Sequence, residues 1–516
     1  MGLALSPTAA VPLLVSLLVF IYFKSRNQIR FPPGPKPIPV IGNAHQMPME
    51  SQAKTFLEWG KKYGGDVVYA YALSTQIVVV NSLDAAQDLM EKRSANYSSR
   101  PRFVTMCEVL GWDTLTLLYY GTRARKLRKW IADVYTKKEA ILSYRPIVRR
   151  EVGRVLTLLL AEPESFSKHF TTFSASMLME ITYGHRAATD DDYYVRVADH
   201  AIEETAKLAG MGSTVVDFFP FLKYYPLWAP GSGFMHNNLR VRKLVQSMIN
   251  APYDMVKEKL HVGAWPSMIG HLIEEHTVDG KLSQSDEADI RAAGATIYSA
   301  GTETTATVMS IFILAMVRYP EVYKKLQAEV DRVIGTERLP DFDDRDAGMP
   351  YTNAVIKELY RWQPPIPLGL PHMVSNDDVY KGWKMPGKAM MLANIWAMSQ
   401  DDVLYPCPGE FDPQRFLDTT VPADVADRMN PENFVFGFGR RLCQGKEFAD
   451  TNVFMMIVNI AATMDISKAK DATGKEITPA AEFEVTATSR PKAFKCVIRP
   501  RSDKAVSLIR QLEADN

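Results

Sequence analysis

The sequence predicts a mainly α-helical protein with small β-sheets, preceded by a single N-terminal transmembrane helix. Three observations carry this prediction. Leu3–Phe23 is a run of 21 residues without a charge, about 30 Å long as a helix and so long enough to cross a bilayer's hydrocarbon. Val67–Asn81, with Ile77, Val78, Val79 and Val80, has the β-branched density of strands and reads as a hairpin. Beyond it helical patterns dominate. The longest runs from about Asp286 to Val317, and Glu303 is its single charge between Ala292 and Val317.

At the N-terminus, Lys24, Arg26 and Arg30 follow the apolar run, whereas only the terminal amine precedes it. A cleaved secretory signal has the opposite charge order and ends in a small-x-small site. The flank Phe23-Lys24-Ser25-Arg26 has neither, so residues 1–23 read as an uncleaved anchor. By the positive-inside rule the rest of the chain then lies in the cytosol. In Phe31-Pro32-Pro33-Gly34-Pro35-Lys36-Pro37-Ile38-Pro39, proline at high density fixes φ and extends the backbone. Residues 24–40 therefore read as a basic, proline-rich hinge that spaces anchor from body. No repeat or linker is visible from Ile41 onward, so residues 41–516 read as one large domain, with helix punctuation at Pro320, Pro350 and Pro364-Pro365. The Asp286–Val317 helix, apolar on every side, is either buried or a second span. Ala300-Gly301-Thr302-Glu303-Thr304-Thr305 in its middle suits an active-site wall better than a bilayer centre.

Composition narrows the function. Across 516 residues, 60 Lys plus Arg balance 59 Asp plus Glu, which excludes nucleic-acid binding by bulk attraction. With 23% charged and 10% aromatic residues, wholesale disorder is excluded as well. Cys107, Cys407, Cys443 and Cys496 are too scattered for a disulfide scaffold and point to a reducing compartment.

One cysteine stands in a specific setting. Phe436-Gly437-Phe438-Gly439-Arg440-Arg441-Leu442-Cys443-Gln444-Gly445 fits F-x-x-G-x-R-x-C-x-G in full, a match expected by chance on the order of 10⁻⁵ times in such a chain. A buried thiol in a glycine-rich turn accounts for a lone cysteine, but not for the five fixed residues together. A thiolate bound axially to haem iron does account for them. It pushes electron density onto the metal and favours O–O cleavage. Small neighbours let backbone N–H groups point at such a sulfur, Gly439 and Gly445 let the chain pass close to a flat macrocycle, and Arg441 reaches a haem propionate.

At these residues the sequence resembles the cytochrome P450 family of microsomal haem-thiolate monooxygenases, and the resemblance covers nearly the whole chain. It implies the family's fold, haem b with Cys443 as iron ligand, dioxygen as co-substrate, and an endoplasmic reticulum location with a single span. Electrons are then expected from NADPH through a separate NADPH–cytochrome P450 reductase, because no flavin or dinucleotide fingerprint occurs in the chain. The wording of the hinge, of Phe56–Gly64 and of Asn394-Ile395-Trp396-Ala397-Met398 resembles fungal, especially basidiomycete, members of secondary metabolism. That implies a terpenoid or aromatic intermediate as substrate.

Further motifs fall in the family's order. Glu358-Leu359-Tyr360-Arg361 matches E-x-x-R, whose two charges share a helix face. Pro413-Gln414-Arg415-Phe416 matches P-x-R-F, so the resemblance implies a buried Glu358–Arg361–Arg415 network serving folding and haem retention. Ala300-Gly301-x-Glu303-Thr304 matches the oxygen-activation segment. Gly301 is expected to leave room for dioxygen, and Glu303 and Thr304 to relay protons. The rival for Thr304 is a hydroxyl bonded back to its own helix. Arg128 falls at the arginine of W-x-x-x-R, although Ala124 occupies the tryptophan position, and His372 matches a frequent propionate partner. The basic run Arg123–Lys129 reads as a docking face for an acidic electron donor or as a solvated face.

For the substrate pocket the resemblance selects Val104, Met106, Val109, Leu110 and Trp112, then Thr296, Ile297 and Ala300, then Ile366 and Leu368. These are mostly apolar and imply a hydrophobic small molecule. The aromatic run Asp217–Trp228 is core or a membrane-dipping surface. Two rival functions are a haem-thiolate isomerase or dehydratase without dioxygen activation, against which the acid–alcohol pair speaks, and a catalytically silent haem-binding scaffold, against which the intact cysteine loop and Glu-Arg pair speak.

Overall fold

The computed structural model of the chain describes residues 30–514, apart from 49, 188–190, 209–213 and 486–487. The expected anchor (1–23) and the basic start of the hinge lie outside the described residues. The longer elements are α1 (Gln52–Tyr63), β1 (Val67–Ala72), β2 (Thr75–Val80), α2 (Thr122–Tyr135), α3 (Arg145–Ala161), α4 (Phe166–Tyr183), α5 (Tyr193–Leu208), α6 (Gly233–Val262) and α7 (Met268–His276). There follow α8 (Gln284–Arg318), α9 (Pro320–Ile334), α10 (Pro350–Trp362), β3 (His372–Met373), β4 (Met390–Ala393), α11 (Lys446–Thr463), β5 (Met464–Lys470), β6 (Glu476–Ile477), β7 (Cys496–Pro500) and α12 (Asp503–Ala514). The fold is mainly helical with small sheets, as the sequence predicts.

The predicted hairpin is present: β1 and β2 pair antiparallel, with Val67 opposite Val80. β4 adds to β2 in parallel and β3 pairs antiparallel to β4, giving the order β1-β2-β4-β3. The uninterrupted apolar run in β2 follows from burial on both sides. Ile77 and Val79 pack with Phe56 and Trp59 of α1, whereas Val78 and Val80 face Tyr97, Met391 and Phe438. A second sheet, β7-β5-β6, lies late in the chain.

α8 organises the helical core. Its N-cap is Ser283, whose Oγ accepts from the Asp286 N–H at 3.0 Å, and Asp286 and Glu287 sit in the first turn, where the helix dipole favours anions. Of its most apolar window, 78% is buried within the protein, so α8 is a core helix and not a second span. Two of its glycines set the approach to α4. A Cβ on Gly294 would come within 2.5 Å of the Tyr183 hydroxyl, and one on Gly301 within 2.7 Å of Leu178 Cδ1. Gly301 thus has a packing reason to be glycine: a Cβ there would press on Leu178.

The proline segment, read as a stiff spacer, lies against the body. Phe31 stacks on Tyr69 at 4.5 Å between ring centroids, and the Tyr69 N–H donates to the Pro33 carbonyl at 3.0 Å. A Cβ on Gly34 would strike the Tyr69 carbonyl oxygen at 2.0 Å. Apolar rings and a free strand edge draw the segment onto β1.

Candidate active site

The cysteine loop lies between the end of a 3-10 turn (Pro431–Asn433) and α11. The Cys443 N–H donates to the Phe436 carbonyl at 2.9 Å and closes the loop. Two glycines in left-handed conformation, Gly437 (φ 84°) and Gly439 (φ 52°), make the reversal possible. Gly439 has a second reason to be glycine: a Cβ there would lie 2.2 Å from the Met90 carbonyl oxygen. The 87–97 segment presses on Gly439 from this side. Beside the position of the missing Cβ of Gly445 lies the Cys443 sulfur alone, 3.9 Å away. Phe436 packs edge-on against Tyr360 of α10 at 5.4 Å.

The Cys443 side chain reaches solvent. The protein around its sulfur pushes the thiol's pKa up, while the Gly445 N–H, which donates to the sulfur, and the nearby Arg128 guanidinium pull it down. Arg128, on α2, bonds the Leu442 carbonyl at 2.8 Å. Gln444 donates to the Arg128 carbonyl, tying the loop to α2 from its other side.

Beside the loop, cations gather without anions. Arg441 donates to the carbonyls of Ser98 (2.8 Å), Leu115 (3.0 Å) and Leu118 (2.5 Å). Arg100 donates to those of Thr116 (2.8 Å), Leu370 (2.9 Å) and Pro371 (2.8 Å). His372 Nδ1 lies 2.6 Å from the Tyr97 carbonyl oxygen. Among the described residues none of Arg100, Arg128, Arg441 and His372 forms an ion pair. Burial, reinforced by Arg128, lowers the Arg441 pKa to about 10. Burial and the Arg441 charge press Arg100 well below the ordinary arginine value. Burial, then Arg100 and Arg441, keep His372 well below its ordinary value and hence neutral. Burying such charges together without a counter-charge costs several kcal/mol per ion. The cluster is therefore built for an anion, and the buried, unpartnered Ser98 hydroxyl next to Arg441 adds an unused polar group.

On α8, Ala300 is exposed and Gly301 and Thr304 are half-buried, although the helix is otherwise deeply packed. The Thr304 hydroxyl donates to the Ala300 carbonyl at 2.9 Å, the arrangement named as its structural rival. Glu303 points elsewhere, towards Thr488 and Arg490, and its pKa is raised by burial despite the Arg490 charge.

The pocket candidates divide. Val104 and Val109 pack with Val216 and Met235, Leu110, Trp112 and Ile297 belong to the main core, and Leu368 packs beneath β2 with Phe56 and Trp59. At 1% and 0% exposure, Val104 and Leu110 line no open space. Thr296 is tied up between the Ala292 carbonyl (2.6 Å) and the Leu115 N–H (2.8 Å). Met106, Ala300 and Ile366 are the candidates that are not buried. Apolar sequence alone does not separate wall from core, because both bury the same residue types.

The expected network is present. Arg361 Nε and Nη2 meet the two Glu358 oxygens at 2.6 and 2.7 Å, and Arg415 Nε adds a contact to Glu358 at 3.3 Å. Both members of the pair have no exposed side-chain surface. The basic run on α2 is partly spent: Arg123 pairs with Asp113 and Asp289, and Lys126 with Asp286 and Asp289. Arg125, Lys129 and the nearby Arg440 remain exposed.

Sequence reasoning missed Arg100. Its signal was Ser98-Ser99-Arg100-Pro101, an arginine fixed by the following proline in an extended segment, but no charge pattern marks it as buried. The site fits a flat, dianionic iron porphyrin: a sulfur donor accompanied by one backbone N–H, an uncovered glycine beside it, and buried cations with no anion of their own. A cleft of about 850 Å³ runs along His236–Ser247 on α6 and shares no residue with this site.

A model of the family described as "Cytochrome P450" matches residues 32–491. Similar proteins include "Cytochrome P450 monooxygenase 176" of Postia placenta, 42% identical over 97% of this chain and 96% of the relative. "Cytochrome P450 monooxygenase claR" of Ampulloclitocybe clavipes is 36% identical over 98% and 93%. "Tryptamine 4-monooxygenase" of Psilocybe cyanescens is 35% identical over 97% and 99%.

Proposed function

The chain belongs to the cytochrome P450 family of haem monooxygenases, and from that premise we propose that it is a membrane-anchored enzyme inserting one oxygen atom from dioxygen into a hydrophobic small molecule. The observation that carries this reading is the pairing of the Cys443 sulfur with the anion-free cluster of Arg100, Arg128, Arg441 and His372. When bound, haem supplies the iron at which dioxygen is activated. Cys443 holds that iron, with the Gly445 N–H bond moderating the sulfur's donor strength. Arg100, Arg441, Arg128 and neutral His372 hold the propionates by charge and hydrogen bonds. Glu303 and Thr304 deliver protons, the Thr304 hydroxyl rotating away from the Ala300 carbonyl to do so. Glu358, Arg361 and Arg415 hold the cysteine side of the fold.

Electrons come from NADPH through a reductase docking at Arg125, Lys129 and Arg440. The exposed Phe221, Tyr224 and Trp228 (69%, 77% and 86%) rest on the membrane surface, supplementing the anchor and facing a lipophilic route to the site. An endoplasmic reticulum location and an aromatic or terpenoid secondary metabolite as substrate agree with this arrangement. An aromatic ring like that in the substrate named for the Psilocybe relative suits the accessible Met106, Ala300 and Ile366.

The test is Cys443→Ala. It is expected to abolish the thiolate-type spectrum of the reduced carbon monoxide complex, and an unchanged spectrum would mean another ligand. With a substrate found by spin-state shifts over a terpenoid and aromatic panel, labelled dioxygen must leave its label in the product. An unlabelled product returns the enzyme to the isomerase or dehydratase reading.

A further inference from the structure

Cys443 is fixed on its two sides by unlike means. Before it, backbone bonds hold the chain: the Leu442 N–H donates to the Gly439 carbonyl at 3.2 Å, and the Cys443 N–H to the Phe436 carbonyl at 2.9 Å. After it, the next bond of this kind is that from the Ala449 N–H to the Gly445 carbonyl, at 2.8 Å, where α11 begins. Among the described residues neither the N–H nor the carbonyl of Gln444 enters a backbone hydrogen bond. What holds Gln444 is its half-buried side chain. Its amide N–H donates to the Arg128 carbonyl, which has no proton of its own to offer. Arg128 returns the contact on the other side of the cysteine, its guanidinium donating to the Leu442 carbonyl at 2.8 Å. One residue of α2 thus grips the residues before and after Cys443.

α2 is a firm support for this grip. Leu127 and Trp130 are buried in the main core, and Arg123 and Lys126 pair with Asp289 of α8 at 2.5 and 2.7 Å. α8 also carries Glu303 and Thr304. The bond from Gln444 therefore refers the position of the sulfur, through α2, to the helix of the proton donors.

We propose that Gln444 is a positioning residue for the thiolate, its amide holding the Cys443 sulfur in the direction and at the reach that keep its donor strength high, a role that rests on the reading of Cys443 as the iron ligand. A metal-binding side chain takes its orientation from the groups that hold it. The peptide joining Cys443 to Gln444 has no hydrogen bond at either end among the described residues, so the Gln444 amide is what resists its rotation. Without that bond the sulfur swings from its place and gives less electron density to a metal bound there. The Gly445 N–H, one peptide further on, is carried off the sulfur by the same movement.

Full-length protein loaded with haem tests this in three variants, read by the reduction potential and by the iron–sulfur stretch in resonance Raman spectra. Gln444→Met keeps the length of the side chain and removes the donor. Gln444→Asn keeps the amide and shortens its reach, and Gln444→His keeps a ring N–H at similar reach. The Met and Asn variants should show a higher potential and a lower iron–sulfur stretch. Their reduced carbon monoxide complexes should pass to the thiol-type form about fivefold faster, the factor that one hydrogen bond carries. The His variant should stay near wild type. Met and Asn variants with wild-type potential and stretch overturn the proposal, even if their urea midpoints fall, because the bond then serves stability alone. A His variant displaced as far as Met overturns it too, since the donor is then not what counts. Should the Met variant fail to take up haem, the Asn variant decides. If the unmutated protein shows no iron–sulfur stretch, the reading of Cys443 as iron ligand fails and this role with it; if it does and the Met and Asn variants match it, only Gln444 is excluded.

Discussion

Replacing Arg361 with lysine separates charge from geometry at the most buried ion pair of the protein. Arg361 uses its whole fork: two bonds to Glu358, one each to the Ser399 (3.0 Å), Pro408 (2.7 Å) and Glu410 (2.9 Å) carbonyls. Lysine keeps the charge but has three donors on one atom and no planar fork. With one donor kept for Glu358, two remain for the three carbonyls, so Glu358 loses its second bond and at least one buried carbonyl loses its partner. At about 1–2 kcal/mol per orphaned group, the loss is about 2–4 kcal/mol. Arg361→Met removes the charge as well, leaving Glu358 with the longer Arg415 contact, and should cost about 3–5 kcal/mol or more, a large share of the ~5–15 kcal/mol that holds a domain together. The damage should travel. Tyr360, next in the chain, bonds Asp450 at 3.1 Å and packs on Phe436, whose carbonyl closes the loop around Cys443. Urea unfolding followed by far-ultraviolet circular dichroism measures stability, and transfer of haem to excess apomyoglobin measures its retention. Both should fall in the order wild type, Lys, Met. If Arg361→Lys stays within about 0.5 kcal/mol of wild type, the geometric argument fails; if Met matches Lys, the charge contributes nothing.

Other outcomes follow from the same geometry. Arg100→Leu should have opposite effects on the two forms, raising apoprotein stability by removing a buried unpaired cation and weakening haem retention; a fall in both would mean that Arg100 serves only its three carbonyls. Gly439→Ala should cost about 1–3 kcal/mol from left-handed backbone strain plus the clash with Met90, and Met90→Ala should not rescue it because the clash is with backbone; urea midpoints check this. Asp199, half-buried on α5, has a carboxyl pKa raised chiefly by burial, with a definite sign for stability. The unfolded carboxyl ionises near 3.8 and the folded one near 7, so the folded state is relatively proton-rich and loses stability as pH rises between those values. Asp199→Asn should therefore gain stability over wild type progressively from about pH 4 to 7 and hold that gain above it, as stability curves at pH 4, 6 and 8 would report; a gain confined to acid pH contradicts the assignment.

Local patterns and contiguous motifs were legible without coordinates. The hairpin, α8, the cysteine loop and the Glu358–Arg361 pair each need only residues near one another in sequence, whose spacing fixes which face or turn they occupy. Arg415 was reached by motif order. Where sequence reading failed, the missing information was a contact across distant segments. Gly439 and Gly301 read as room for a ligand, and the packing reason that Met90 and Leu178 add was not visible. Leu368 and Leu110 read as pocket wall, whereas they are core, a distinction that apolarity alone does not carry. The proline segment read as a spacer until Tyr69 gave it a surface to dock on.

The sequence by itself determined the helical class, the thiolate loop and the chemistry that a cysteine in that setting performs, because these depend on residue type and short spacing. Tertiary structure alone decided which charges stay without partners. Arg123 and Lys126 are neutralised by aspartates from α8 and the preceding loop, while Arg100 and Arg441, some 340 residues apart, are driven together without an anion. The energy of a buried charge depends on everything within a few ångströms of it, and that neighbourhood does not exist until the chain has folded.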